Sequence, residues 1–268
     1  MLGAQMTTLA SSRIWITGAS SGIGEALAYD LARRGARLVL SARKAESLEA
    51  VRARCERPDA HQVVPLDLAD PVSLGAAARS VLGAGAVDVL VHNGGISQRG
   101  LAKDTGIDVD RRIMETNYFG TVALTKAVLP SFLARGAGHF VVVTSVVGRV
   151  GTPYRSTYAA SKHALHGFFD SLRAEVASTG IHVSLVCPGF VATNISRNAL
   201  TGDGSAQGTM DEATARGITP AKCAAGIARV IETNRSEALI GGREIAAVYA
   251  KRFAPRIFEK LLERAKVR

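Results

Sequence analysis

The 268-residue chain has only three cysteines, Cys55, Cys187 and Cys223, and none forms a C-x-x-C pair. The odd count and wide spacing exclude a disulfide scaffold and point to a reducing compartment. No apolar run reaches the ~18 residues of a membrane span. Residues 1–12 lack a charged n-region and a long apolar stretch, so no secretory leader is expected. No zinc-finger spacing, aromatic RNA-binding signature, internal repeat or low-complexity linker occurs. The expectation is a cytoplasmic protein of one domain, 1–268, long enough to need no metal or disulfide staple. Hydrophobic residues make up 47% and charged residues 21%, a globular balance that excludes a disordered or fibrous chain.

What the chain has in excess is positive charge: 33 Lys and Arg against 23 Asp and Glu, a net of +10. Such a balance suits an anionic cofactor, a membrane surface or nucleic acid; nucleic acid is the weakest of these, because no reading motif accompanies the charge. About half of the excess lies in a tail, residues 246–268, where Lys251, Arg252, Arg256, Lys260, Arg264, Lys266 and Arg268 face Glu259 and Glu263. In the same tail Phe253, Ile257, Phe258, Leu261, Leu262 and Ala265 recur at helical spacing. A basic amphipathic helix of this kind either lies on an anionic membrane as a peripheral contact or packs on the protein's own substrate cleft.

Short apolar, β-branched runs recur at 13–17, 37–42, 61–67, 87–92, 139–145, 182–187 and 237–240, with helical stretches such as 25–34, 46–57, 72–82 and 109–135 between them. This alternation predicts a seven-stranded parallel sheet, doubly wound, with helices on both faces. Residues 190–218 break the rhythm: they are polar, small and glycine-rich, and follow a strand end, where open α/β sheets bind ligands. They are expected to form a substrate lid.

After the first strand come Gly18, Ser20, Ser21, Gly22, Ile23 and Gly24, then a helix beginning near Glu25. Glycines in a strand-to-helix turn let backbone approach a pyrophosphate, which then meets the positive end of the helix. The second strand ends at Ser41-Ala42-Arg43-Lys44 with no carboxylate for a ribose 2′-hydroxyl. Arg43 offers a bidentate fork and Ser41 a hydroxyl to a 2′-phosphate, so NADP(H) is the expected cofactor.

Tyr158 and Lys162 lie four apart at the start of a predicted helix and share a face. Ser145 closes the fifth predicted strand, and Asn117 sits inside the helix before it. A carbonyl reductase needs a general acid brought towards the working pH, and an ammonium beside a phenol favours the phenolate. Ser145 would orient the substrate oxygen.

With Asp67, Asn93-Gly94-Gly95 and Pro188-Gly189 with Thr193, these residues resemble the short-chain dehydrogenase/reductase family along nearly the whole chain. The resemblance implies a Rossmann-type fold with Tyr158 as acid/base, Lys162 holding the nicotinamide ribose and Asn117 anchoring a water relay to Lys162. It further implies that Asp67 and Leu68 meet the adenine, that Asn93 and Gly94 lie at the cofactor, and that Pro188, Gly189, Val191 and Thr193 line the nicotinamide. His92 and Gly94 depart from the usual Asn-Asn-Ala-Gly. Residues 116–130, the segment from Thr193-Asn194 to Asp211, and Ala254-Pro255 resemble the branch of dehydrogenase/reductase member 7B proteins. That branch acts on lipid-like carbonyls and usually carries an N-terminal membrane anchor absent from the first residues here. The implied protein is an NADP(H)-dependent carbonyl/alcohol oxidoreductase and a homodimer or homotetramer, paired through the helices at 109–135 and 157–178. A 3-oxoacyl-thioester reductase, a non-catalytic nucleotide sensor and a membrane-surface interaction protein are the alternatives.

His163 and His166 are three apart on the catalytic helix, but no third ligand stands at metal-binding spacing, so no metal is expected. Cys187 reads as a packed thiol and Trp15 as core.

Overall fold

The computed structural model describes residues 7–263. The bases Arg264, Lys266 and Arg268, with Ala265, lie outside the described residues, as do the side chains of Ile257, Leu261 and Glu263. Within that span β1 (Arg13–Thr17), β2 (Arg37–Ser41), β3 (Gln62–Val63), β4 (Val89–His92), β5 (Gly138–Val143), β6 (Ile181–Pro188) and β7 (Glu237–Ile240) form one sheet. The order is β3-β2-β1-β4-β5-β6-β7, and every neighbouring pair is parallel. The helices are α1 (Gly22–Arg33), α2 (Ala45–Arg54), α3 (Pro71–Gly83), α4 (Ile107–Met114), α5 (Gly120–Arg135), α6 (Ser156–Glu175), α7 (Glu212–Ala215), α8 (Pro220–Thr233), α9 (Ala246–Phe253) and α10 (Pro255–Glu263).

Successive strand residues point to opposite faces, and the core divides accordingly. From β1, Ile14 and Ile16 join Leu27 and Leu31 of α1 and Ile227 of α8 on one side. Trp15 joins Val81 of α3, Phe132 of α5 and Phe169 of α6 on the other. Both faces are therefore covered, which is why the strands read as nearly unbroken apolar runs. Because β1 sits between β2 and β4, the chain reverses its direction of winding there, opening a crevice at the carboxyl ends of the strands.

Several expected boundaries move. The first helix starts at Gly22, three residues before the expected Glu25. The 61–67 run contributes only Gln62–Val63, because the His61 Nδ1 accepts the Leu38 N–H where a ladder bond would begin. Beyond it the chain still tracks β2 through Val64 N–H to Leu40 O and Leu66 N–H to Ala42 O. The long helix over 109–135 is two helices joined by a π-helical turn, Glu115–Phe119. Ser145 lies past β5, where its Oγ caps the N–H of Val147. Segment 190–218 is tied down by parallel bridges Val191–Ile218 and Gln98–Leu200 and contains α7. No helix among the described residues is long and apolar enough to cross a membrane.

Candidate active site

A cavity of about 1290 Å³ runs along the carboxyl ends of the strands, and every expected site residue except Gly24 and Asn117 lines it. Those two act from behind. Gly18 turns at φ +65°, and a Cβ on Gly24 would stand 2.2 Å from the Gly18 carbonyl oxygen, so α1 presses directly on the turn. Ser21 precedes α1 without capping a backbone N–H with its side chain. The first-turn N–H groups thus face the cavity's end as an anion cradle. Asn93 Nδ2 donates to the Thr17 and Gly18 carbonyls at 3.2 and 3.1 Å, and the N–H groups of Asn93 and Gly94 both donate to Thr17 Oγ1. The Asn93 side chain thus braces the turn. Thr193 arches over the turn, its Cγ2 near the space above Gly22.

At the adenosine end the two expected phosphate readers part company. Ser41 is fully buried; its hydroxyl donates to Val64 O at 2.6 Å and accepts from Trp15 Nε1 at 2.9 Å. The expectation that it donates to a 2′-phosphate is corrected, because its single proton is committed to the core. Arg43 is exposed, lines the cavity, and has no hydrogen bond or ion pair among the described residues. Asp67 and Leu68 lie on the neighbouring wall. His92 points away, its Nε2 2.9 Å from Thr125 Oγ1 and its ring stacked on Phe140.

At the opposite end α6 presents Tyr158 and Lys162, both buried. The Lys162 Nζ donates to Val143 O at 3.1 Å and stands 5.8 Å from the Tyr158 ring centroid. Burial holds the ammonium down at about 8. Burial likewise pushes the phenol up; Arg99, the Ser145 hydroxyl and Arg155 pull it back, in that order. Beside the Ser145 hydroxyl, the groups that pull the phenol back are thus two arginines that spacing did not single out. Asn117 sits in the π turn, a feature that recurs at functional sites. Its Oδ1 accepts the Ile96 N–H at 2.8 Å, and its Nδ2 donates to Ile96 O and Ser161 Oγ. It therefore pins the loop after β4 to α6; its direct partners are Ile96 and Ser161, not Lys162.

The far wall of the cavity includes Val150, Ile195, Leu200, Phe258 and Leu262, so the last two bring part of the tail to the cleft. Phe258 is buried, whereas Tyr249 and Phe253 of α9 remain exposed. Glu244 closes the floor, accepting the N–H groups of Phe190 and Gly242 beside Gly189.

The expectation that no third ligand stands with His166 is corrected by the fold, which brings two further donor groups to it. Cys187 and Glu237 each place a ligand atom with His166 inside 4.8 Å. Both Glu237 oxygens, however, are held by Arg149 at 3.1 and 2.8 Å, and the Thr144 hydroxyl donates to the Cys187 thiol, which burial pushes up to about 11. An arginine in that seat opposes a cation.

Residues 12–203 match the family model for short chain dehydrogenases. The chain is 47% identical over 255 residues to a dehydrogenase/reductase SDR family protein 7-like of Anopheles gambiae, covering 91% of this chain and 80% of the relative. It is 45% identical to dehydrogenase/reductase SDR family member 7B of Bos taurus, covering 92% and 79%. The crystal structure of a short-chain dehydrogenase from Streptomyces avermitilis superposes with a TM-score of 0.79 at 30% identity, over 95% of this chain and 97% of that one. Two Burkholderia structures, one with NADP and one with NAD, share the fold at TM-score 0.80 with 24% and 23% identity; they cover 96% and 98% of this chain and 99% and 98% of their own.

Proposed function

The chain belongs to the short-chain dehydrogenase family, and from that premise we propose that it is an NADP(H)-dependent oxidoreductase interconverting a carbonyl and a secondary alcohol on a hydrophobic, lipid-like substrate. The family uses nicotinamide cofactors, and such a group, when bound, supplies or accepts the hydride. The observation that carries the reading is one cavity holding both ends of the chemistry: the glycine turn at one end and Ser145, Tyr158 and Lys162 at the other.

The glycine turn and the start of α1 would hold the pyrophosphate, and Arg43 would meet a 2′-phosphate. Lys162, buried close to Val143 O, would hold the ribose, with Pro188, Gly189, Val191 and Thr193 beside the nicotinamide. Ser145 orients the substrate oxygen, and Tyr158 gives that oxygen a proton as the phenol in reduction and takes one back as the phenolate in oxidation. The apolar wall of Val150, Ile195, Leu200, Phe258 and Leu262 excludes water and suits an alkyl chain. Segment 190–218 serves as the cover.

The test is a panel of long-chain ketones and secondary alcohols followed at the NADPH absorbance band. Turnover of at least one hydrophobic carbonyl with NADPH is expected. Tight NADPH binding with no turnover across the panel would instead mark a nucleotide sensor.

A further inference from the structure

Three charged side chains lie buried beside Tyr158 without a part in the reaction as described. Arg99, Arg155 and Asp211 are 4%, 4% and 5% exposed. Asp211 comes from segment 190–218, and its Oδ2 accepts from Arg99 Nε at 2.7 Å, Arg99 Nη2 at 2.6 Å and Arg155 Nη2 at 3.2 Å. Its Oδ1 accepts from Gln207 Nε2 at 2.9 Å. Arg99 Nη1 donates further to Ser97 Oγ and Gln98 O. Four of the five guanidinium N–H groups of Arg99 are thus spent inside the protein, leaving little with which to grip a ligand. Two cations nevertheless face one carboxylate, and burying that imbalance is costly.

The cluster is close to the acid. Arg155 is three residues before Tyr158 at the start of α6, and Arg99 and Arg155 both line the cavity. The Gln98 Oε1, next to Arg99, accepts the Thr157 N–H at 2.9 Å and the Tyr158 N–H at 3.4 Å. Beside these, the Ser145 hydroxyl after β5 meets the phenol, Lys162 from α6 stands 5.8 Å from its ring, and Glu244 lines the same cavity from its floor. Lys162 is turned to Val143 O.

We propose that the Arg99–Asp211–Arg155 cluster is the electrostatic support of the Tyr158 acid: Arg99 and Arg155 favour the phenolate, while Asp211 fixes the guanidinia and tempers their field. They are positioning residues, acting through Tyr158 without touching substrate. The inference rests on the reading of Tyr158 as the acid/base. It agrees with Arg99 being the foremost of the groups that offset the effect of burial on the phenol. It also gives segment 190–218 a second task, since that segment brings in Asp211.

Charge and packing make opposite predictions for two variants. The probe is the ultraviolet phenolate band of Tyr158, taken for each full-length variant minus the same variant carrying Tyr158→Phe, without substrate. Arg99→Gln is expected to raise the titration midpoint, leaving on the order of tenfold less phenolate at a fixed pH. Asp211→Asn is expected to lower it, giving on the order of tenfold more, and Arg99→Lys to stay near the parent. Midpoints that move together, or stay still, overturn the proposal and leave the cluster a packing device. Circular dichroism reports folding, and if Arg99→Gln fails to fold, Arg155→Gln against Asp211→Asn decides the sign. The titration needs no turnover, so the two failures separate: an inactive parent enzyme would refute the oxidoreductase reading on which the inference rests, whereas unmoved midpoints in an active one would refute the cluster's part alone. In an active enzyme the pH profile of alcohol oxidation shifts in the same two directions.

Discussion

The Lys162 ammonium stands 5.8 Å from the centre of the Tyr158 ring and gives its hydrogen bond to the Val143 carbonyl. On the proposed function the two residues divide the work, the phenol meeting the substrate oxygen and the ammonium the ribose. Tyr158→Phe is expected to remove turnover by about a hundredfold to ten-thousandfold while leaving NADPH affinity nearly unchanged. Lys162→Met is expected to weaken both, because on the proposed function Lys162 would hold the ribose and is a buried cation near the Tyr158 ring. Separate measurements of kcat and of NADPH Kd check this, and most activity retained in Tyr158→Phe would refute the assignment. If the phenolate is the base, as proposed, oxidation is expected to speed up as pH rises, since burial holds the phenol above its ordinary range.

The proposed preference for NADP(H) rests on Arg43, exposed on the cavity wall with no partner among the described residues, and on Ala42 beside it in place of a carboxylate. A charge-assisted contact to a 2′-phosphate is worth about tenfold to a hundredfold in kcat/KM for NADPH over NADH. Arg43→Asp is expected to reverse that order. Ser41→Ala is expected to disturb stability more than cofactor choice, because its hydroxyl joins Trp15 to Val64. Equal kcat/KM for the two cofactors in the parent enzyme would remove the argument.

What was legible in the chain was whatever obeys a local rule. β1 and β7 stand at their expected positions, and the glycine turn and the Tyr158–Lys162 pair sit in the expected places, since period, turn chemistry and i,i+4 spacing are written within a few residues. What escaped is non-local. Arg99 and Asp211 are 112 residues apart, and no spacing rule links them. The π turn at Asn117 leaves no compositional mark, so residues 109–135 read as one helix. Cys187 and Glu237 come to His166 only because β6 and β7 are neighbours under α6.

Self-association is expected through the helices at α5 and α6. Phe119 on the π turn is 52% exposed and packs edge-on to Tyr118, which in turn meets Phe168 of α6. An apolar patch shared by two adjacent helices suits an isologous two-fold contact. Light scattering at micromolar concentration is expected to give a dimer or tetramer, and Phe119→Asp to shift it towards monomer with little change in melting temperature. A monomeric parent protein would contradict the proposal.

Acid stability follows from three histidines buried without charge. Burial holds His92 and His139 down at about 3 and His166 at about 4, and each has an Nδ1 with no hydrogen-bond partner. In the unfolded chain each ring takes a proton near 6.5. Between those values the unfolded state binds more protons than the folded one, so stability rises with pH up to about 6.5 and is level above it. At pH 5 each withheld proton costs on the order of 2 kcal/mol, and three together rival the whole stability of an ordinary domain. Denaturant midpoints are therefore expected to fall sharply between pH 7 and pH 5, before most carboxylates titrate. His92→Gln separates this cause from general acid unfolding: it removes one titrating ring, and a glutamine amide nitrogen has the reach of Nε2 to donate to Thr125 Oγ1. Its loss of stability between pH 7 and pH 5 is expected to be about one third smaller than that of the parent. An unchanged pH dependence would show that His92 is already charged in the folded protein or that it titrates alike in both states.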